Sequence, residues 1–273
     1  MIPVLRDRAA AEGVPLAVVA AEALHVLLLD TLFARPESEI MAFQGGMCLH
    51  LVHGAYRYSE DLDLAGTTLD ARTAELVVKS ARESMEKLVV QLLGVGEHSW
   101  RAPRVSGRLT TYWYGFAPES LGRRIRVKIE FARFPVYRPA VLPVKSELDS
   151  LQRRPLVNAL DAGELLAEKL TAVLGRLYLK SRDLFDLWYL DAVLAAPLDP
   201  ELLRRKLDDY GVAADPERVQ ERLAAAAAAD LRREMDRFLP SRHRARLAKG
   251  GYEAIRRSAS SLLGRAAAQA GLS

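Results

Sequence analysis

Cysteine is almost absent from the chain. The one thiol, Cys48, leaves nothing from which to build an intrachain disulfide framework, and a reducing cytoplasm is the expected home. Long hydrophobic runs are missing too. The longest, Leu16–Leu29, is interrupted by Glu22 and His25 and falls short of the roughly 18–20 apolar residues that a bilayer requires. No basic start followed by an apolar core and a small-residue cleavage site is visible, so neither secretion nor a membrane partner is expected. There is no internal repeat and no long linker. Neither sign of charge dominates: 39 lysines and arginines against 35 acids give a net charge of +4, too small alone to argue for nucleic acid.

What is present is an ordinary globular balance, 50% hydrophobic and 27% charged over 273 residues, enough for one large domain or two small ones. The basic residues are unevenly spread. The stretch Arg232–Arg265 is crowded with arginine, Arg242, Arg244 and Arg246 among them, and such a surface can follow a phosphate backbone. A solvated helix face is the equal alternative.

Periodicity predicts a helix over 14–34, a short strand over 40–43, and a short helix over 47–54 after Gly45-Gly46. It then predicts a strand at 61–64 and a long amphipathic helix over 70–93. Period-two alternation from about 95 to 137 predicts an antiparallel pair at 109–116 and 124–134. The remainder after Pro143 reads as helical, with segments at about 161–179, 182–195, 199–209, 215–229, 231–238 and 244–268. The run Ala224–Ala229 is strong helix propensity. The expected plan is α/β (α+β): a mixed amino-terminal half over 1–145 and a helical carboxy-terminal domain over 146–273.

The chemistry concentrates in three places. Side chains at i and i+2 of a strand point to one face, so Asp61 and Asp63 project together while Leu62 and Leu64 face the core. Two adjacent carboxylates repel unless a cation lies between them, and hard oxygen donors suit Mg²⁺. Upstream, Gly45-Gly46 between a strand and a helix lets backbone approach a phosphate. On the strand at 124–134, Arg126, Lys128 and Glu130 share a face. Glu130 completes a metal site if its strand neighbours 61–64; otherwise it is a surface glutamate paired with Arg126 or Lys128. Further on, Lys169 and Arg176 lie two helical turns apart and can hold a triphosphate. Asp183 and Asp186 share a face of the next helix, for which Ser181 is a candidate N-cap. From chemistry alone, an ion-pair staple of Lys169 or Arg176 to Asp183 or Asp186 is slightly preferred. His50 and His53, three apart, read as packing or capping residues ahead of a metal or base role, and Cys48 as a small buried hydrophobe. Tyr112, Trp113 and Tyr114 alternate faces, so one or two are core, and nothing in the sequence supports a base-stacking role for them.

Taken as a set, Phe43-x-Gly45-Gly46-x-x-Leu49, then Gly54, Arg57, Ser59-Glu60-Asp61-Leu62-Asp63, then Lys169, Arg176 and Arg182-Asp183-Leu184-Phe185-Asp186-Leu187, resembles the AbiEii family. These are nucleotidyltransferase-like toxins of bacterial toxin–antitoxin systems, the MenT type among them. The likeness spans residues 14–195. It implies a polymerase-β-like core followed by a helical domain that completes the active site, with Mg²⁺ or Mn²⁺ and an NTP. The implied reaction transfers a nucleoside monophosphate to the 3′ end of tRNA, stopping aminoacylation and translation. By the same resemblance Asp61 and Asp63 bind metal, and Gly45, Gly46, Ser59, Arg57 and Lys169 serve the nucleotide. Asp186, or else Asp183, is the further acid. The expected partners are tRNA and a cognate antitoxin protein. In some relatives the antitoxin phosphorylates the serine that corresponds to Ser59, which would place negative charge beside the metal site. Where the family commonly has Ser or Thr after the diglycine, this chain has Met47 and lacks that hydroxyl. The other readings are AMP transfer to a protein or small molecule, and a catalytically silent RNA- or partner-binding module.

Overall fold

The computed structural model describes residues 1–146, 154–225 and 228–272, in two units, Met1–Leu160 and Asp161–Ser273. Part of the Ala224–Ala229 run therefore lies outside the described residues.

The first unit is built on a seven-stranded mixed sheet. In chain order its strands are β1 (Ala42–Gln44), β2 (Asp61–Ala65), β3 (Gly96–Ser106), β4 (Leu109–Pro118), β5 (Ile125–Ala132), β6 (Pro139–Pro143) and β7 (Leu156–Leu160). Their order across the sheet is β3-β4-β5-β2-β1-β7-β6. Two pairings are parallel, β2 with β5 and β1 with β7, and the rest antiparallel.

Helices α1 (Ile2–Glu12), α2 (Leu16–Phe33) and α4 (Ala71–Leu93) belong to the same unit, together with the seven-residue α3 (Gly45–Leu51) that leaves β1. Helix α4 starts at Asp70, whose carboxylate accepts from the Thr73 amide at 2.8 Å, a side-chain N-cap. Its inward stripe of Ala74, Val77, Ala81, Met85 and Leu88 follows the helical period. Helix α2 differs: it is buried nearly all round, Glu22 and His25 included. It alone is long and apolar enough to cross a membrane by length and hydropathy among the described residues, and 67% of that window is buried within the protein.

The second unit is helical: α5 (Ala162–Gly175), α6 (Ser181–Trp188), α7 (Pro200–Tyr210), α8 (Pro216–Ala225), α9 (Ala228–Met235), α10 (Ser241–Ala248) and α11 (Gly251–Ala270). Helix α11 packs on α6, α7, α8 and α9, while α5 packs on α7. Lys206 on α7 is 1% exposed and bonds Glu164 and Glu168 of α5 at 2.7 Å each. A buried ammonium persists only when so paired.

Several expectations need correction. The stretch after Pro143 is not all helical: residues 156–160 form β7 beside β1, so the division falls after Leu160 and not at 145/146. A strand this short carries too little periodicity to be recognised, and its burial comes from the neighbour it pairs with. Strand β3 adds a third member to the antiparallel pair, and α1 precedes the first expected helix. Helix α3 begins on Gly45 itself, not after the diglycine. The long last helix is two, parted by Gly250 at φ +84°. Ser181 is the first residue of α6, with Lys180 before it in extended backbone; its amide donates to Glu234 at 3.2 Å.

Candidate active site

The diglycine turn and the Asp-x-Asp strand meet because β1 and β2 are antiparallel neighbours, with Gln44 opposite Asp63. Gly45 follows at φ +76°, a left-handed conformation that costs other residues about 1–2 kcal/mol. A Cβ there would run into the Asp63 carboxylate. At Gly46 a Cβ would lie 2.5 Å from Arg57 Nη2 and 2.9 Å from Ser59 Oγ. Both glycines are thus demanded by what approaches them. Met47, which stands where the family commonly has a hydroxyl, is wholly buried.

Directly paired residues of neighbouring strands share a face, and one row runs Gln44, Asp63, Glu130, Thr111, Arg104 across β1, β2, β5, β4 and β3. The next row runs Asp61, Lys128, Trp113, Arg101. Asp61, Asp63 and Glu130 therefore lie on one face of adjacent strands, the neighbour relation on which a third carboxylate depended. Glu130 is also paired with Lys128, as the alternative reading had it: Lys128 Nζ lies 2.9 Å from Asp61 Oδ2 and 3.2 Å from Glu130 Oε1. Burial alone would lower the Lys128 pKa; the hydrogen bond and charge of Asp61, with Glu130, outweigh it and hold the pKa above its usual value.

Among the described residues no three carboxylate, thiol or imidazole groups form a ready metal cage. The donor chemistry still fits Mg²⁺, which needs only one or two carboxylates when phosphate oxygens complete its shell.

Behind the site lies a buried polar network that spacing could not reveal. Arg8 of α1 clamps Glu22 of α2 through two hydrogen bonds, at 3.0 and 3.2 Å, and His50 Nε2 of α3 reaches the same carboxylate at 3.3 Å. Burial acts to raise the Glu22 pKa, but His50 and Arg8 prevail and hold it at about 2. Tyr58, next to Ser59, donates to Glu12 at 2.5 Å. The loop carrying Arg57 and Ser59 is in this way tied to α1. The only sequence signal was a pair of charged or polar residues inside the apolar run of α2. One of them, His25, is fully buried, and neither ring nitrogen has hydrogen-bond geometry to a described residue.

In the second unit Lys169 bonds Asp186 at 2.7 Å and Asp183 at 3.4 Å. Arg176, just past the end of α5, also bonds Asp183. This is the staple preferred on chemical grounds, and Asp183 and Asp186 are both buried within it. The arginine-rich tail is largely engaged as well: Arg244 donates to the Asp236 carbonyl, Arg256 pairs with Glu253 and Arg265 with Asp191. Arg242 and Arg246 remain exposed on α10.

A mixed sheet that sets a diglycine turn over an Asp-x-Asp strand is the arrangement of a nucleotidyltransferase, and the family comparison bears this out. Residues 27–261 match the family model described as "Nucleotidyl transferase AbiEii toxin, Type IV TA system". The chain belongs to this family. Among solved structures it is similar to MenT4, nucleotidyltransferase toxin Rv2826c from Mycobacterium tuberculosis H37Rv, at 19% identity and a TM-score of 0.71, covering 100% of this chain and 94% of that one. JHP933 from Helicobacter pylori follows at 16% identity and TM-score 0.56, over 94% of this chain and 95% of that one. A putative nucleotidyltransferase from H. pylori stands at 15% and 0.55, over 93% and 96%. At these identities the likeness concerns the fold. No curated protein matches the sequence.

Proposed function

We propose that the chain is a cytoplasmic toxin that transfers a nucleoside monophosphate from an NTP to the 3′ end of tRNA, and that a cognate antitoxin restrains it. The observation that supports this best is the closeness of Gly45 to Asp63, which shares a row with Glu130, with Asp61 beside them on the same face. Asp61 and Asp63, with Glu130, are the residues to hold Mg²⁺ or Mn²⁺. Such an ion would supply positive charge that offsets the charge developing in an in-line displacement.

The chain's own groups do the rest. Gly45 and Gly46 admit the phosphates where side chains would block them, and the Ser59 hydroxyl and Arg57 guanidinium beside Gly46 bind and orient them. A 3′-hydroxyl oxygen bonds to the α-phosphorus as its proton passes to solvent water, the bond from that phosphorus to the bridging oxygen breaks, and pyrophosphate leaves. Lys128, held between Asp61 and Glu130, keeps the carboxylates together before the nucleotide arrives. In the second unit, Lys169 is assigned to the triphosphate and Asp186, or Asp183, to the acidic function, with Arg176 supporting them.

The test is to incubate the protein with total bacterial RNA and each labelled NTP in turn, with Mg²⁺ or with EDTA. Label on RNA of tRNA size is expected, abolished by chelation and reduced at least a hundredfold in Asp61→Asn and Lys169→Ala. Label on protein alone would point to AMP transfer to a protein. No label from the folded wild type would sink the enzymatic proposal for these residues.

A further inference from the structure

The face that carries the carboxylates continues beyond them, and there it carries arginines around a tryptophan. Next to Lys128 the row proceeds to Trp113 and then Arg101. One step along β5, Arg126 lies opposite Gly115, which lies opposite Ser99. Together Arg101, Arg126, Arg124, Ser99 and Trp113 line a cavity of about 400 Å³. Arg104, two strands from Glu130, extends the same face.

These groups are spare. Among the described residues Arg101, Arg104 and Arg126 make no ion pair or side-chain hydrogen bond, and Trp113 makes no ring contact or hydrogen bond. The other tryptophans are committed: Trp100 donates to Glu86 at 2.8 Å and packs at a tilt on Tyr114, and Trp188 packs on Phe185. Several arginines elsewhere are paired with acids, among them Arg82, Arg176, Arg205, Arg256 and Arg265. Three unpaired guanidinium groups around one unpartnered, half-buried indole make a surface that binds phosphate by charge and a base by stacking.

Position assigns the ligand. Neighbouring strands lie about 4.8 Å apart, so Trp113 stands two strands, about 10 Å, from Asp61. On the far side of the carboxylates is the Gly45–Gly46 turn. The acidic row thus separates a turn open to phosphates from a basic, aromatic platform, the order in which a nucleotide donor and a polynucleotide acceptor flank a transfer site.

We infer that the single-stranded end of an acceptor RNA lies across β5, β4 and β3, with a base stacked on Trp113 and its phosphates on Arg126, Arg101 and Arg104. Calling this strand the acceptor rests on the nucleotidyl-transfer reading above; its binding to this face does not. The inference moves RNA recognition from α10 to the sheet.

The test uses the full-length protein and a fluorescein-labelled single-stranded RNA of twelve nucleotides ending in CCA, followed by anisotropy from 50 to 200 mM salt. Arg101→Glu with Arg126→Glu, both exposed positions, is expected to weaken binding at least tenfold and to flatten the salt dependence, since each lost phosphate contact removes about 0.7 from the logarithmic slope. Trp113→Leu is expected to weaken binding about tenfold with the slope unchanged. Arg242→Glu with Arg246→Glu is expected to leave the affinity within about twofold. In transfer assays the acceptor KM rises in the sheet variants while the NTP KM stays put. Wild-type RNA affinity in the folded sheet variants, loss confined to the α10 variant, or a rise in NTP KM alone would each overturn the inference, as would a wild type that binds no RNA. A wild type that binds this RNA through the sheet yet labels no RNA keeps the inference and removes the transfer reading. Labelling that persists unchanged in the sheet variants does the reverse.

Discussion

His25 stands in the middle of α2 with no exposed surface and a pKa pushed down to about 4, chiefly by burial, against the charges of Asp61 and Glu22 that favour its cation. An unfolded histidine takes up its proton near pH 6.5. Between about pH 6.5 and 4 the unfolded chain therefore binds the extra proton, and stability falls as the pH drops through that window. At pH 5 the loss is about 2 kcal/mol relative to pH 7. Glu22 does not interfere, because its carboxyl, held at about 2, contributes stability above the unfolded value near 4.3 and loses it only as the pH falls below that. His25→Leu is expected to flatten the pH dependence of the urea midpoint between pH 7 and 5. Equal slopes for wild type and variant would refute the assignment. At this scale the reading of Asp61 and Asp63 as a pair on one face needed only the two-residue period. The pairing of Asp61 with Lys128 is not readable in this way, because nothing local says which strand will lie beside β2.

Among the elements, the β1–α3 junction is the most constrained. Gly46→Ala would force Arg57 and Ser59 away from the turn, and crowding of this kind costs about 1–3 kcal/mol. The expected result is a lower melting temperature together with an NTP KM raised at least tenfold. A variant that melts lower but binds nucleotide normally would show that the turn is merely tight. The strand–diglycine–helix order could be read directly, since glycine there is punctuation. Strand β7 could not. Leu156-Val157-Asn158-Ala159-Leu160 is short and runs straight into the capped start of α5 at Asp161, whose carboxylate accepts from the Glu164 amide at 2.7 Å. The helix signal overwhelmed it, although β7 supplies the parallel partner of β1.

For the whole molecule, the unit boundary after Leu160 makes a direct prediction. A fragment of residues 1–160 retains both strands beyond β1, whereas one ending at 145 leaves the edge of β1 unpaired in the middle of a sheet. Expressed separately, the longer fragment is expected to give dispersed amide NMR signals, and the shorter one to aggregate. Equal behaviour of the two would mean that β7 adds nothing to the sheet's integrity. The two-part plan was legible from the switch between strand and helix periodicity. Its exact seam was not, because pairing across more than a hundred residues leaves no trace in the local pattern.

Strand β3 has a second consequence, as the sheet's outer edge. Eleven residues of unpaired backbone invite a strand from another molecule. Here Arg101 and Arg104 bracket Pro103 at the point where the register with β4 shifts, and like charges, a missing amide and a local twist all discourage such a neighbour. The residues proposed to hold an acceptor would also keep copies of the enzyme from stacking on one another, so selection for colloidal stability and for substrate would act on the same two arginines. Neutral replacements there should prove hard to concentrate even when they still turn over.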